Sequence, residues 1–265
     1  LENVFRPSHA DYVSYIKYGR KSNGGGQFSG RMTAALVAIN AILLDALKEK
    51  GIAIGSYVKQ VGNIIDETEI GDINGTINRL NSDFFPTLDG QIKNKMISLI
   101  DEARNNGDSI GGKITTIVYN LIPGVGEPFF DSLESTISHA MFSIPAVKGI
   151  TFGLGQSFAE SYGSKVNDEF ILKDCLIKTK TNFNGGINGG ISNGMPIIFE
   201  CIVKPTPSIS LKQKTLTTKC EEVEIAINGR HDACLVRRII PVINGLTAFV
   251  IFDNLLSVLG AKFFE

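Results

Sequence analysis

The stretch that most limits the fold is the last one. From Ile239 to Leu259 the chain is apolar on every side of a helical projection, interrupted by Asn244, Gly245, Thr247, Asp253 and Asn254. A membrane span needs about 20 predominantly apolar residues, and these polar interruptions argue instead for a helix buried inside a protein core. Just ahead of it stands GRHDAC, Gly229 to Cys234, which sets a permissive glycine, a fixed cation, a group that titrates near neutrality and a carboxylate side by side. A surface turn uses Gly and Asp readily. Arg and His add anion binding and proton transfer at the mouth of an apolar element.

A chain of 265 residues is long enough for a large core. Its 26 basic and 27 acidic residues nearly cancel, so no global field draws in nucleic acid or an anionic membrane, and any anion site must be local. Cys175, Cys201, Cys220 and Cys234 are widely spaced without a CxxC pair. That excludes the common zinc spacings and a dense disulfide framework, and buried thiols in a reducing, cytoplasmic compartment are the expectation. No basic-then-apolar export signal opens the chain. The abrupt start at Leu1, close to a loop rich in chemistry, leads to the expectation of further sequence upstream of this chain.

Along the chain, FRPSHADY, Phe5 to Tyr12, reads as a loop because Pro7 disfavours helix at Arg6. His9 within it is either a satisfied structural histidine or a proton-transfer group. The run GRKSNGGGQFSGR, Gly19 to Arg31, lets the backbone approach a ligand or another strand at Gly24, Gly25 and Gly26. Ser29 is placed to cap a helix that runs to about Lys50 and stops at Gly51. Arg31 in its first turn opposes the helix dipole unless an anion is present. Strands are expected at 52–62, 113–121, 145–155, 196–203 and 222–227, and helices at 88–106, 130–142 and 237–259. GGINGGISNG, Gly185 to Gly194, marks a tight path or a hairpin loop, and KPTPS, Lys204 to Ser208, either a phosphate cradle or a rigid turn. Strands and helices alternate without a regular βαβ period, which argues for an α+β fold.

Taken in order, FRPSHADY, GGGQFSGRMTA, SIPAVKGITFG, GGINGGISNG, KPTPSIS and GRHDAC resemble the landmarks of the chorismate synthase family. The resemblance implies a single domain over 1–265 with two antiparallel sheets enclosing a helical layer, assembled as a homotetramer. It also implies a lyase that removes phosphate and a ring hydrogen from 5-enolpyruvylshikimate 3-phosphate by anti-1,4-elimination, giving chorismate at the last step of the shikimate pathway. Reduced FMN is required, and NADPH serves as reductant where a member is bifunctional. By motif, His9 is a proton donor or flavin-tuning group and Asp232 assists removal of the ring proton. Arg6, Arg31 and Arg230 bind substrate. The flavin site comprises Gln27, Phe28, Ser29, Pro145, Ala146, Gly189, Lys204, Pro205, Thr206, Pro207, Ser208 and Arg230. His231 receives no role.

Three departures stand beside the resemblance. The GESHG segment of the family has no counterpart here. Gln27 and Met32 replace the Arg and Glu of GGRSSARET, and Ala233 and Asn244 stand where Pro and Glu are common. The first departure supports a rival reading, a non-catalytic remnant that retains flavin or phosphate binding or an oligomer interface.

Overall fold

The computed structural model describes residues 3–263 apart from Ser22, Asp174, Asn228 and Arg230. In chain order the helices are α1 Asp11–Tyr18, α2 Thr33–Glu49, α3 Ile73–Ser82, α4 Gly90–Asn105, α5 Leu133–Phe142, the single turn α6 Gly163–Val166 and α7 Val236–Leu259. The strands are β1 Ala53–Val61, β2 Ile64–Ile65, β3 Gly112–Tyr119, β4 Val147–Phe152, β5 Phe170–Lys173, β6 Leu176–Thr179, β7 Ile187–Asn188, β8 Ile191–Ser192, β9 Ile197–Val203, β10 Gln213–Leu216 and β11 Glu222–Ile225. The α+β expectation holds, and every pairing is antiparallel.

Five strands form one sheet in the order β2-β1-β3-β9-β4, and the rest pair as the two-stranded ribbons β5-β6, β7-β8 and β10-β11. Among the described residues the β-structure is thus one larger sheet and three ribbons. Period-two alternation sorts the large sheet into two faces. Ile54 and Val58 of β1, Ile114 and Val118 of β3, and Ile197, Phe199, Cys201 and Val203 of β9 share one core with α7. Tyr57 and Ile117 point the other way and pack on Ile77 and Leu80 of α3.

The apolar C-terminal run is the central helix α7, buried at thirteen positions from Val236 to Leu255. It passes α2 at Gly245, where a Cβ would stand 3.1 Å from the Cβ of Asn40. Asn244, one of the family departures, faces the sheet and joins a buried polar chain. Its Oδ1 accepts from Ser56 Oγ at 2.5 Å, and Ser56 in turn lies 2.8 Å from Thr116 Oγ1. Since the Ser56 proton goes to Asn244, Thr116 must donate to Ser56. A neutral amide closes this chain without burying a charge.

Several elements escaped the sequence reading. α1 begins inside the stretch read as loop, because Asp11, four residues after Pro7, already belongs to a helix whose C-cap is Gly19 in the left-handed region. The β5-β6 ribbon falls between the strands expected at 145–155 and 196–203, where no element was expected, with Phe170, Leu172 and Ile177 largely exposed on one face. β10 follows KPTPS and pairs with β11. The thiols also differ from expectation: Cys201 is buried and Cys234 half-buried, but Cys175 and Cys220 are exposed.

Candidate active site

The site is assembled at the sheet end where β9 finishes and β3 and β4 begin. β9 delivers KPTPS there, and the Lys204 backbone N–H donates to the Ala146 carbonyl at 2.9 Å. Ala146 holds a left-handed φ of 77°, which turns the IPA segment into β4. The Lys204 ammonium reaches across to the Ser8 carbonyl at 2.7 Å and ties KPTPS to the FRPSHADY loop. Burial, helped by the neighbouring cation Lys148, pulls the Lys204 ammonium below its ordinary range.

A connecting strip, 107–112, fastens the other side. Ser109 Oγ donates to the Thr206 carbonyl at 2.7 Å and the Ile110 N–H donates to the Ala233 carbonyl at 2.7 Å. Ser210 N–H returns to the Gly107 carbonyl at 2.8 Å. The strip can lie this close because Gly111 and Gly112 lack side chains: a Cβ would fall 2.7 Å from the Val203 carbonyl oxygen at Gly111 and 2.2 Å from that of Gln60 at Gly112. KPTPS and the end of GRHDAC are thereby held in one frame.

The FRPSHADY loop has its own internal order. Arg6 forks onto Asp11, with Nε 2.7 Å from Oδ2 and Nη2 2.7 Å from Oδ1, and the Arg6 backbone N–H adds a third bond at 3.1 Å. His9 Nδ1 lies 2.9 Å from Asp11 Oδ1, within ion-pairing reach but off the line of a well-directed hydrogen bond. Burial would raise the Asp11 carboxyl, but the hydrogen bonds from Arg6, with the charges of His9 and Arg6, overcome it and hold the group at about 2. For His9, burial first and the Arg6 charge second push the imidazole below its ordinary range, with Asp11 opposing. Burial thus favours the neutral imidazole over the imidazolium.

The glycine-rich loop closes over this group. Residues Asn23–Phe28 form a 3-10 turn and Gly25 takes φ 98°. A Cβ on Gly25 would stand 3.9 Å from His9 Nε2. Ser29 caps the next turn by accepting from Arg31 N–H at 3.3 Å, and α2 follows, with its C-terminal stop at Gly51 as expected. Gln27 and Arg31 are exposed, and Phe28 and Ser29 are half-buried.

Some expected members do not converge. Arg6, expected at the substrate, spends two of its guanidinium nitrogens on Asp11, a pairing that the triplet Arg-x-x-His-x-Asp could have suggested. Gly189 lies at the opposite end of β9, where Leu133 N–H donates to the Gly190 carbonyl at 2.9 Å. Seven strand residues, about 23 Å at 3.3 Å each, separate that end from KPTPS, so within one chain Gly189 does not join Lys204 and Ala146. Arg230 lies outside the described residues. Asp232 is half-buried and paired with Arg238 Nη2 at 3.0 Å, one turn into α7. Arg238 also borders a separate cleft of about 940 Å³ between α2, α3 and α7, which Phe84, Lys48 and Asn244 line and His9, Lys204 and Thr206 do not. Beside it Arg237 stacks on the Phe84 ring, 3.6 Å from its centroid.

Comparison with known proteins agrees with this frame. A sequence model of the family described as "Chorismate synthase" matches residues 1–256. The chain is 42% identical over 255 residues to the chorismate synthase of Pyrococcus abyssi, covering 95% of this chain and 70% of that protein. It is 42% identical over 258 residues to chorismate synthase 1, chloroplastic, of Solanum lycopersicum, covering 96% of this chain and 59% of that protein. A solved crystal structure of chorismate synthase superposes with a TM-score of 0.73 at 29% identity, over 94% of this chain and 71% of the other. A match running through all the ordered motifs and the fold that gathers most of them at one sheet end places the chain in the chorismate synthase family of enzymes.

Proposed function

We propose that this chain catalyses the 1,4-elimination of phosphate from 5-enolpyruvylshikimate 3-phosphate to give chorismate, with reduced FMN bound. The observation that carries the reading is the hydrogen-bonded frame that brings FRPSHADY, the glycine-rich loop, IPA, KPTPS and the end of GRHDAC to one place. The residues fit an anionic cofactor. Thr206 Oγ1, two residues along the chain from Lys204, is buried without a partner among the described residues, and an unpaired buried hydroxyl is costly unless a ligand satisfies it. Lys204, Thr206 and Ser208 would hold the flavin from KPTPS, with Gln27, Phe28 and Ser29 opposite. The chemistry supplied by reduced FMN when bound is electron density for the allylic system, recovered afterwards.

The remaining work falls to this chain. Arg31, exposed at the start of α2, offers its guanidinium to the substrate's phosphate or carboxylates. Asp232, steered by Arg238, accepts the ring proton. Exposed apolar side chains on α2, Leu36, Ile39 and Ile42 among them, and on the β5-β6 ribbon favour burial against other subunits, in keeping with a homotetramer.

The rival, a non-catalytic remnant that binds flavin or phosphate, draws on the commitment of Arg6 to Asp11. Expression from the complete reading frame and assay with and without reduced FMN separates the two. Chorismate formed only with reduced FMN supports the enzyme, whereas flavin binding without turnover supports the remnant and flavin-independent turnover removes the cofactor. Asp232→Asn is expected to slow turnover by roughly two to four orders of magnitude, and near-normal turnover takes Asp232 out of the mechanism.

A further inference from the structure

The Asp11 carboxylate is not an ordinary helix-start acid. It is 2% exposed, and its two oxygens receive the Arg6 fork, the Arg6 backbone N–H and the approach of His9 Nδ1. Lys21 Nζ stands 4.0 Å from Oδ2. His9 Nδ1 is buried, and among the described residues the side chain paired with it is this carboxylate. A lone pair at Nδ1 would face a negative oxygen at 2.9 Å, so the proton belongs there. The opposite nitrogen, Nε2, lies on the side of Gly25, where an added Cβ would stand 3.9 Å from it.

We propose that Asp11 is a positioning residue that fixes His9 as the Nδ1–H tautomer and so presents the Nε2 lone pair to the glycine-rich loop. Arg6 serves the same end, since its fork fastens the carboxylate whose Oδ1 lies 2.9 Å from Nδ1. His9 at rest is then a proton acceptor at Nε2. A proton taken up there makes an imidazolium whose Nδ1–H faces Asp11, and the same proton leaves by the same nitrogen, so nothing is consumed in the exchange. The charged groups around the ring set the balance: Asp11 favours the imidazolium, while Arg6 and Lys204 disfavour it. That His9 exchanges this proton with a ligand rests on the function proposed above; the tautomer itself does not.

The test is ¹⁵N nuclear magnetic resonance of the full chain labelled at histidine, of which there are three. His139 and His231 are exposed, and His139→Gln and His231→Gln assign their signals. His9 should show a protonated Nδ1 and a pyridine-type Nε2 near pH 7, the reverse of the form that free histidine side chains prefer. Asp11→Asn should invert this. The asparagine has a single acceptor oxygen, which the Arg6 fork claims, and its amide then donates to Nδ1 and moves the proton to Nε2. The His9 titration midpoint should fall as well, because Asp11→Asn removes the one charge that favours the imidazolium. An Nε2–H wild type, or an Asp11→Asn protein that folds and keeps the wild-type tautomer, would overturn the assignment. If Asp11→Asn does not fold, the wild-type spectrum alone decides. Absence of turnover would bear on the proposed function and leave this result standing.

Discussion

Replacing Ile77 and Gly55 one at a time and together probes the contact that seats α3 on the sheet. Ile77 is 1% exposed, and a Cβ on Gly55 would lie 3.0, 3.2 and 3.3 Å from its Cγ2, Cγ1 and Cβ. Ile77→Ala deletes three buried carbons and leaves a partly collapsed cavity, at a cost of about 3 kcal/mol. Gly55→Ala presses a methyl group into three atoms that give way by a few tenths of an ångström. The overpacking penalty of about 2 kcal/mol is offset in part by about 0.7 kcal/mol gained on replacing glycine in a strand, so the net cost is about 1 kcal/mol. In the double variant two of the three crowding atoms are gone and the new methyl refills part of the void. The pair should then cost about 2 kcal/mol in place of the additive value of about 4, a coupling of about 2 kcal/mol. Urea unfolding of the four proteins measures it, with equal m-values as the check that midpoints report stability. Additivity within about 0.5 kcal/mol would refute the packing described for this face.

Two further outcomes follow from the site. Asp11 has its folded-state carboxyl at about 2 against an ordinary 3.8; because the folded value is depressed, its contribution to stability is complete above the ordinary value and is lost as pH falls through about 2. The stability gap between wild type and Asp11→Asn should therefore close as pH falls from about 4 to about 2 in denaturation series, and a gap that grows across that interval would contradict the pairing. Thr206→Val removes a buried hydroxyl that has no partner among the described residues, so thermal unfolding without cofactor should be unchanged or improved by up to about 1 kcal/mol. FMN affinity by fluorescence titration should drop about tenfold; a destabilised Thr206→Val protein would mean the hydroxyl already has a partner.

Most of the frame was legible in the sequence because its signals are local. The apolar run 239–259, Ser29 before α2, Gly51 after it, and the alternation of Ile197 to Val203 each mark an element from within. What escaped carries no such signal in its own stretch. The helix at Asp11 shares its carboxylate with Arg6, and proline between them reads as loop. β5 and β6 pair only with each other, and their exposed Phe170, Leu172 and Ile177 give no inward-outward contrast. At the site, the motifs identified Lys204, Ala146 and His9 as companions, but residue types alone could not tell that Arg6 is engaged by Asp11. Nor could they tell that Gly189 sits a strand length away, because that separation is set by the direction of β9. Asn244 passed as a departure of unknown effect until Ser56 and Thr116 supplied its partners.

The strip 107–112 contributes no acid, base or cation to the reaction as proposed, yet the backbone of three separated segments is registered against it. It behaves as a jig: the distance from KPTPS to the base of α7 is set by two hydrogen bonds, from Ser109 and Ile110, and by two glycines that admit no methyl. Variation there would not remove a functional group but would detune several at once. A homologue's competence can therefore be lost in a stretch where a survey of reactive side chains finds nothing changed.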